Sequence, residues 1–481
     1  MIEQAIAMNK LKSNQLPQSE EDLRTISKTP WLSKCLENII GDFLLPIIDK
    51  YLDPGQCGGL KKTSINHYLI KLLDFAHRTL DSNTPHCAVL CTEDLSKAYN
   101  RGSHNLVIED LKSMHVPGFL LAIICSYLKE RSLNLQYQGA KSKSKMLPGG
   151  FGAGTWLGGL LFIIKFNGAC LRPPVPRPLT LNKGIQVKYI DDASQMASVN
   201  LKKSLLQDSQ FRQRPLNYNE RTEQILNPQE NILQQELENF YQFTLTNKLV
   251  INKRKCFVMK FSRSKKYDFP PEFTIGGSEI LEVKREQRIL GIIVQDSLRW
   301  ESQCQEMIKK ATNTTWAIRR MKSLGVPEST LVDFWRSEGR VHLEYACPVW
   351  HSSLTIAQSR SLDRAQRVAM AAITGRWEAS HSLQLSQLGL EKLHTRREII
   401  CKRFAYRTAT NSRHKDLFIP LSTNTRRETS GSYYQEIPTR TSTYHNSALP
   451  HIKLLDFVDC AVQAANSRIG PFASLVLNLT Q

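Results

Sequence analysis

The sequence predicts an α+β fold, an antiparallel sheet backed by helices and followed by a long helical region. Three observations carry this expectation. Apolar and polar residues alternate over 186–190 and again over 193–199, the period of two strands joined by a tight turn. A short apolar run, Cys87-Ala88-Val89-Leu90-Cys91, has the length of a buried strand and ends at Glu93-Asp94. From Glu301 to about residue 410 the apolar spacing becomes helical.

In chain order, residues 1–86 read as mostly helical, with 31–51 an amphipathic candidate stopped by Asp53-Pro54-Gly55. The apolar strand follows, then a helical stretch over 104–129 and a basic loop, Lys141-Ser142-Lys143-Ser144-Lys145. The segment 148–159 holds six glycines and leads into an apolar helix ending near Asn167. Pro173, Pro174, Pro176 and Pro178 force an extended link to the hairpin. Residues 201–232 are rich in Gln, Asn and Glu and read as an inserted surface segment. Alternation returns over 248–261, a further strand pair reads at 273–294, and 411–481 reads as a loose basic tail.

Composition narrows the function classes. Hydrophobic content of 41% over 481 residues allows a large core and two to four subdomains, which excludes wholesale disorder. A net charge of +20 favours a polyanionic partner, either nucleic acid or an acidic membrane surface. No apolar run reaches membrane-spanning length, and the N-terminus lacks the pattern of a signal peptide. Nucleic acid is therefore the expected partner and no membrane is, in an intracellular setting, nucleus or cytoplasm. The 11 cysteines include no Cys-x-x-Cys pair, so free thiols are expected rather than a zinc knuckle.

The chemistry centres on Tyr189-Ile190-Asp191-Asp192, which places two adjacent carboxylates at the tip of the expected hairpin. Such a pair is either a solvated turn or a site for Mg²⁺, which takes one or two carboxylates and completes its shell with water and phosphate oxygens. Asp94, at the end of the apolar strand, is either a strand-terminal cap or a third acid meeting that hairpin across one sheet. The glycine-rich segment has neither P-loop nor dinucleotide-binding spacing. Its glycines permit close approach of another backbone or a ligand.

Asp94-Leu95-Ser96-Lys97-Ala98-Tyr99 with His104 resembles the first metal-binding motif of reverse transcriptases, in the form typical of non-LTR (LINE, jockey-like) retrotransposons. Tyr189-Ile190-Asp191-Asp192 is similar to their signature hairpin. Other segments follow in the family's order: Asp22-Leu23-Arg24-Thr25-Ile26-Ser27, then Gly154-Thr155 with Leu157-Gly158, then Leu249, Asn252 and Lys255 on a strand. Leu290-Gly291 with Trp300 resembles the primer-grip strands, and Glu344-Tyr345-Ala346, Trp350 and Thr374-Gly375 the helical region beyond them.

The resemblance implies a right-hand polymerase. Fingers would span 1–86, the palm 87–200 and 233–300 around the 201–232 insertion, and the thumb and post-polymerase region 301–410. It implies an RNA-directed DNA polymerase acting on an RNA template, a DNA primer and dNTPs. Asp94, Asp191 and Asp192 would hold two Mg²⁺ ions, with Mn²⁺ as a substitute, one activating the primer 3′-hydroxyl and the other neutralising the triphosphate. Arg24 would meet the triphosphate, or is a surface arginine. Lys255 would protonate the leaving pyrophosphate, or is one cation of a phosphate-binding face. Tyr99 would exclude the ribose 2′-hydroxyl, or is a half-buried core tyrosine. Gly154 and Thr155 would lie under template and nucleotide.

Three positions depart from the family: Ala153 where Gln is usual, Asn100 where Asp is usual, and an added acid, Glu93, expected to face away from Asp94. With no endonuclease, RNase H set or zinc knuckle recognised, a lone polymerase region is expected. A relic that only binds nucleic acid and an RNA-templated RNA polymerase are the alternatives.

Overall fold

The computed structural model describes residues 2–9, 23–82, 86–129, 131–137, 139–152, 154–169, 184–200, 228–263, 273–277, 279–417 and 437–455. Its first elements correct the helical expectation for 1–86. Strands β1 (Ile2–Asn9) and β2 (Leu23–Lys28) pair antiparallel, and only then come helices α1 (Trp31–Ile48) and α2 (Ile65–Leu80). The β1 segment, with two alanines and two methylene-rich polar residues, has no strong local preference for a strand. Pairing decides it: β1 lies between β2 and the parallel strand β4 (Ser132–Tyr137), so both of its edges are hydrogen-bonded.

The strand β3 (His86–Glu93) is the centre of the main sheet. After it come α3 (Ala98–Arg101), α4 (His104–Ser113) and α5 (Gly118–Leu128). The single helical stretch expected over 104–129 is broken at His115 (φ +57) because Pro117 disfavours a helical residue before it. Beyond β4, two-residue strands β5 (Ala140–Lys141) and β6 (Lys145–Met146) complete the smaller sheet. The helix α6 (Trp156–Phe166) is apolar all round because it is buried all round.

Strands β7 (Ile185–Tyr189) and β8 (Asp192–Asn200) form the expected hairpin. The insertion over 201–227 lies outside the described residues, while its end enters α7 (Pro228–Thr246). Leu233, Leu237 and Phe240, spaced as one helix face just beyond the 201–232 insertion, are buried in the core. Strands β9 (Phe257–Phe261), β10 (Thr274–Ile275), β11 (Glu279–Ile280), β12 (Glu282–Val283), β13 (Glu286–Ile289) and β14 (Ile292–Gln295) follow.

The main sheet runs β12-β9-β3-β8-β7. It is antiparallel as expected except at one edge, where β12 pairs parallel to β9. Both faces are covered, which is why 87–91 reads as a continuous apolar run rather than an alternating one. On one face α2 packs Tyr68, Leu72 and Phe75 over Leu90, Met196 and Met259, in a core continuous with the C-terminal helices. On the other, α1, α4, α5, α6 and α7 enclose Cys87, Val89 and Cys91.

Helical structure begins at Glu301, as the spacing predicts, with α8 (Glu301–Ser323). There follow α9 (Glu328–Phe334), α10 (Arg340–Glu344), α11 (Cys347–Trp350), α12 (Ile356–Thr374), α13 (His381–Gln387) and α14 (Leu393–Ala409). The loose-tail expectation is corrected for 437–455, which contains α15 (Ser442–His445) and α16 (Ala448–Leu454). Buried Tyr444, Leu449 and Ile452 anchor this segment. Tyr444 Oη donates to Asp74 Oδ1 at 3.0 Å, and the Arg440 N–H donates to Asp81 Oδ2 at 2.7 Å, tying it to α2. Its acceptors are distant in sequence, so polar composition concealed the docking.

Among the described residues nine cysteines are free thiols, seven of them buried, in line with the expectation. No helix among these residues is long and apolar enough to cross a membrane.

Candidate active site

The hairpin tip is a two-residue loop. Tyr189 pairs with Asp192, which leaves Ile190 and Asp191 to make the turn. Ile190 sits at φ +62, a conformation a β-branched residue adopts only where its surroundings impose it.

The imposing residue is Gln56, which sequence reasoning missed. Its buried side chain accepts hydrogen bonds at Oε1 from the N–H groups of Ile190 and Gly58, both at 3.0 Å, and donates from Nε2 to the Ile190 carbonyl at 3.4 Å. Residues 53–59 run beside β7: the Cys57 N–H donates to the Lys188 carbonyl at 2.8 Å and the Lys188 N–H to the Gly55 carbonyl at 2.9 Å. A Cβ on Gly58 would stand 2.6 Å from the Ile190 nitrogen, so only glycine permits this approach. The glycines that follow the Asp53-Pro54-Gly55 helix stop, Gly58 and Gly59, were the available signal.

Below the tip, the Lys188 ammonium is buried. It pairs with Asp53 Oδ2 at 2.8 Å and donates to the Phe166 and Asn167 carbonyls at 3.2 and 3.0 Å. Gln56→Ala is expected to strand two backbone N–H groups and to lower stability by about 1–3 kcal/mol. Denaturant unfolding of Gln56→Ala beside Gln56→Glu, which keeps the acceptor, measures this. An Ala variant with an unchanged midpoint would remove Gln56 from its clamping role.

The register of β3 on β8 pairs Glu93 with Ala193, and one step further brings Asp94 beside Asp192. Burial, then the neighbouring charges of Asp191 and Asp94, push the Asp192 carboxyl up to about 7, and Lys255 opposes the rise. Lys255 does not lie on a strand as expected. It closes the single turn Lys253–Lys255 before β9, with its ammonium 3.3 Å from Asp94 Oδ2. That oxygen is buried and takes no hydrogen bond from the described residues. Glu93 is buried, and burial pushes its carboxyl well above the usual range, which keeps it protonated and distinct from the acid cluster.

These features fit a divalent cation. Like charges are held together, a cost that a bound cation would relieve. Among the described residues no group of three His, Cys, Asp or Glu side chains is placed so that it could hold a metal ion by itself, Asp94, Asp191 and Asp192 included. An open set of acids is what Mg²⁺ uses when substrate phosphates supply part of its shell.

The raised Asp192 value has a signed consequence. Without metal, its proton is held more tightly in the folded than in the unfolded chain, so the stability it confers is full below about pH 4 and is lost as pH rises through about 7. A bound cation requires that proton to leave. Thermal stabilisation by Mg²⁺ is therefore expected to grow from about pH 6 to about pH 8. An Mg²⁺-dependent shift with no pH dependence would exclude Asp192 as a ligand.

The remaining expected residues gather beside the glycine segment. Tyr99 is half-buried on α3, its ring stacked on Phe162 at 4.9 Å between centroids and its hydroxyl 3.8 Å from where a Cβ on Gly159 would stand. The Phe151 N–H donates to the Tyr99 carbonyl at 2.7 Å and ties α3 to that segment. Gly154 is exposed at φ +98. Thr155 caps α6, its Oγ1 accepting from the Gly158 N–H at 3.2 Å. Asn100 is exposed on α3, and Ala153 lies outside the described residues. Arg24 is placed by its backbone alone, on β2 opposite Met8 and not in a helix.

No protein-family model matches the chain, and no curated protein matches it. Among solved structures, apo telomerase from Candida Tropicalis aligns at 11% identity and a TM-score of 0.38, over 82% of this chain and 61% of that one. The same telomerase truncated from its C-terminal domain aligns at 12% identity and a TM-score of 0.32, over 58% of this chain and 52% of that one. The chain thus spans between half and two thirds of the telomerase chains it is similar to.

Proposed function

We propose that the chain is an RNA-directed DNA polymerase of the non-LTR retrotransposon type, extending a primer 3′ end with dNTPs on an RNA template. The observation that carries this reading is the meeting of Asp94 with Asp191 and Asp192 across the β3–β8 register, with Lys255 against them. Asp94, Asp191 and Asp192 would hold two Mg²⁺ ions, or Mn²⁺ in their place. When bound, these supply a lowered pKa for the primer 3′-hydroxyl and charge neutralisation for the triphosphate.

The chain's own residues supply position and proton. Lys255 carries an ammonium proton beside Asp94, where a departing pyrophosphate would take it up. Tyr99 stands on Phe162, its hydroxyl side close to Gly159, and blocks a 2′-hydroxyl. Gly154 leaves backbone open to a base pair, and Thr155 fixes the helix start beneath it. Arg24 would meet the triphosphate from the fingers. The right-hand division follows: fingers 1–86, palm 87–200 and 233–300, thumb from 301 to 410.

Primer extension on an RNA template with Mg²⁺ and dNTPs tests this. Extension by the wild-type chain is expected, and a folded chain that binds template without extending it would leave only the binding-relic reading. Tyr99→Val is expected to weaken exclusion of ribonucleotides, read from the ratio of rNTP to dNTP incorporation. An unchanged ratio would remove the case for DNA over RNA as product.

A further inference from the structure

We infer that Trp316, Arg319 and Trp377 form a stacking platform for unpaired nucleotides on the exposed face of α8. Large aromatic rings are ordinarily buried, yet Trp316 is 71% and Trp377 53% exposed. The Arg319 guanidinium lies over the Trp377 ring at 5.2 Å from its centroid, and Trp316 is one turn before Arg319 on the same side of the helix. The stacked Arg319–Trp377 pair and the exposed Trp316 ring thus lie within one helical turn of each other along α8.

The platform is fixed in place. Gly375, at φ +78, ends α12, and its N–H donates to the Ala371 carbonyl at 2.8 Å. The Arg376 N–H donates to Thr374 Oγ1 at 3.2 Å, and the Arg376 guanidinium to Gln387 Oε1 at 3.4 Å. Lys322, from α8, donates to the Ile373 carbonyl and joins the two elements. A loop held this way offers its tryptophan with little ordering cost.

Charge selects the partner. Residues 309–323 contain Lys309, Lys310, Arg319, Arg320 and Lys322 and no acid. Lys309, Asn313, Trp316 and Arg320 follow one exposed helical stripe, so phosphates along a strand would meet cations on both sides of the rings. Bases stack on aromatic and guanidinium faces whatever their identity, but only when they are not already stacked in a duplex. The platform therefore takes an unpaired strand rather than a helix, and it stands independently of polymerase chemistry.

The test measures binding by the full chain, without dNTPs, to a labelled single-stranded RNA, the DNA of the same sequence, and the corresponding duplex. Trp316→Ala and Trp377→Ala are each expected to weaken single-strand binding about tenfold and leave duplex binding and the melting temperature unchanged. Trp316→Phe should retain most of the affinity. The ratio of RNA to DNA affinity shows which strand is preferred. Equal weakening on duplex and single strand, or less than about a twofold change on either, would overturn the platform. Failed primer extension with the single-strand effect intact would sink the polymerase reading alone.

Discussion

Asp191→Asn is expected to reduce primer extension by about 10³-fold or more, because losing one metal-holding carboxylate removes several kcal/mol of charge stabilisation from phosphoryl transfer. The substitution keeps size and hydrogen bonding and removes only charge. It should not unfold the chain. After burial, the charge of Asp191 is the largest influence raising Asp192, so its removal lets Asp192 ionise more easily. The metal-free variant is therefore expected to be at least as stable as wild type above about pH 7, while its stabilisation by Mg²⁺ shrinks. Melting curves with and without Mg²⁺, set beside extension rates, separate the two effects. Extension that survives in Asp191→Asn, Asp94→Asn and Asp192→Asn alike would end the metal assignment.

The second large effect is on the scaffold beneath those acids. Asp53→Ala is expected to lower stability by about 3 kcal/mol or more, since it leaves the Lys188 ammonium buried without its carboxylate. Lys188 is 1% exposed and keeps two carbonyl acceptors, which holds the cost to the lower part of the range for broken buried pairs. Asp53 also accepts from the Gly55 N–H at 2.7 Å, so residues 53–59 would loosen as well. Adding Lys188→Met should recover much of the loss, because the stranded charge goes with it. Urea unfolding of both single variants and the double variant measures the cycle. A single Asp53→Ala variant as stable as wild type would show that the carbonyls alone satisfy the ammonium.

The local elements around the candidate site were legible in the sequence. The hairpin at 186–199 is readable because its period of two persists over both strands; of the two acids expected at its tip, Asp191 lies in the turn and Asp192 opens β8, paired with Tyr189. The helix start at Glu301 follows from an equally local change of period.

The failures share a cause. The β1 segment becomes a strand because β2 and β4 lie on either side of it, and β4 begins more than a hundred residues later. Residues 437–455 dock because Asp74 and Asp81 wait on α2. Gln56 clamps the tip because residues 53–59 lie against β7, a pairing across some 130 residues that its own neighbours do not encode.

The sequence by itself determined the hairpin at 186–199, the apolar strand that ends at Glu93-Asp94 and the helical start at Glu301, each legible from local period and residue type. Only the tertiary structure decided that Asp94 stands beside Asp192, that Lys255 reaches them from a turn, and that Gln56 holds Ile190 at a positive φ. Local preference acts over a few residues, whereas hydrogen-bond register and burial act between segments far apart in the chain. The acids were named by their neighbours in sequence. They were made into a site by their neighbours in space.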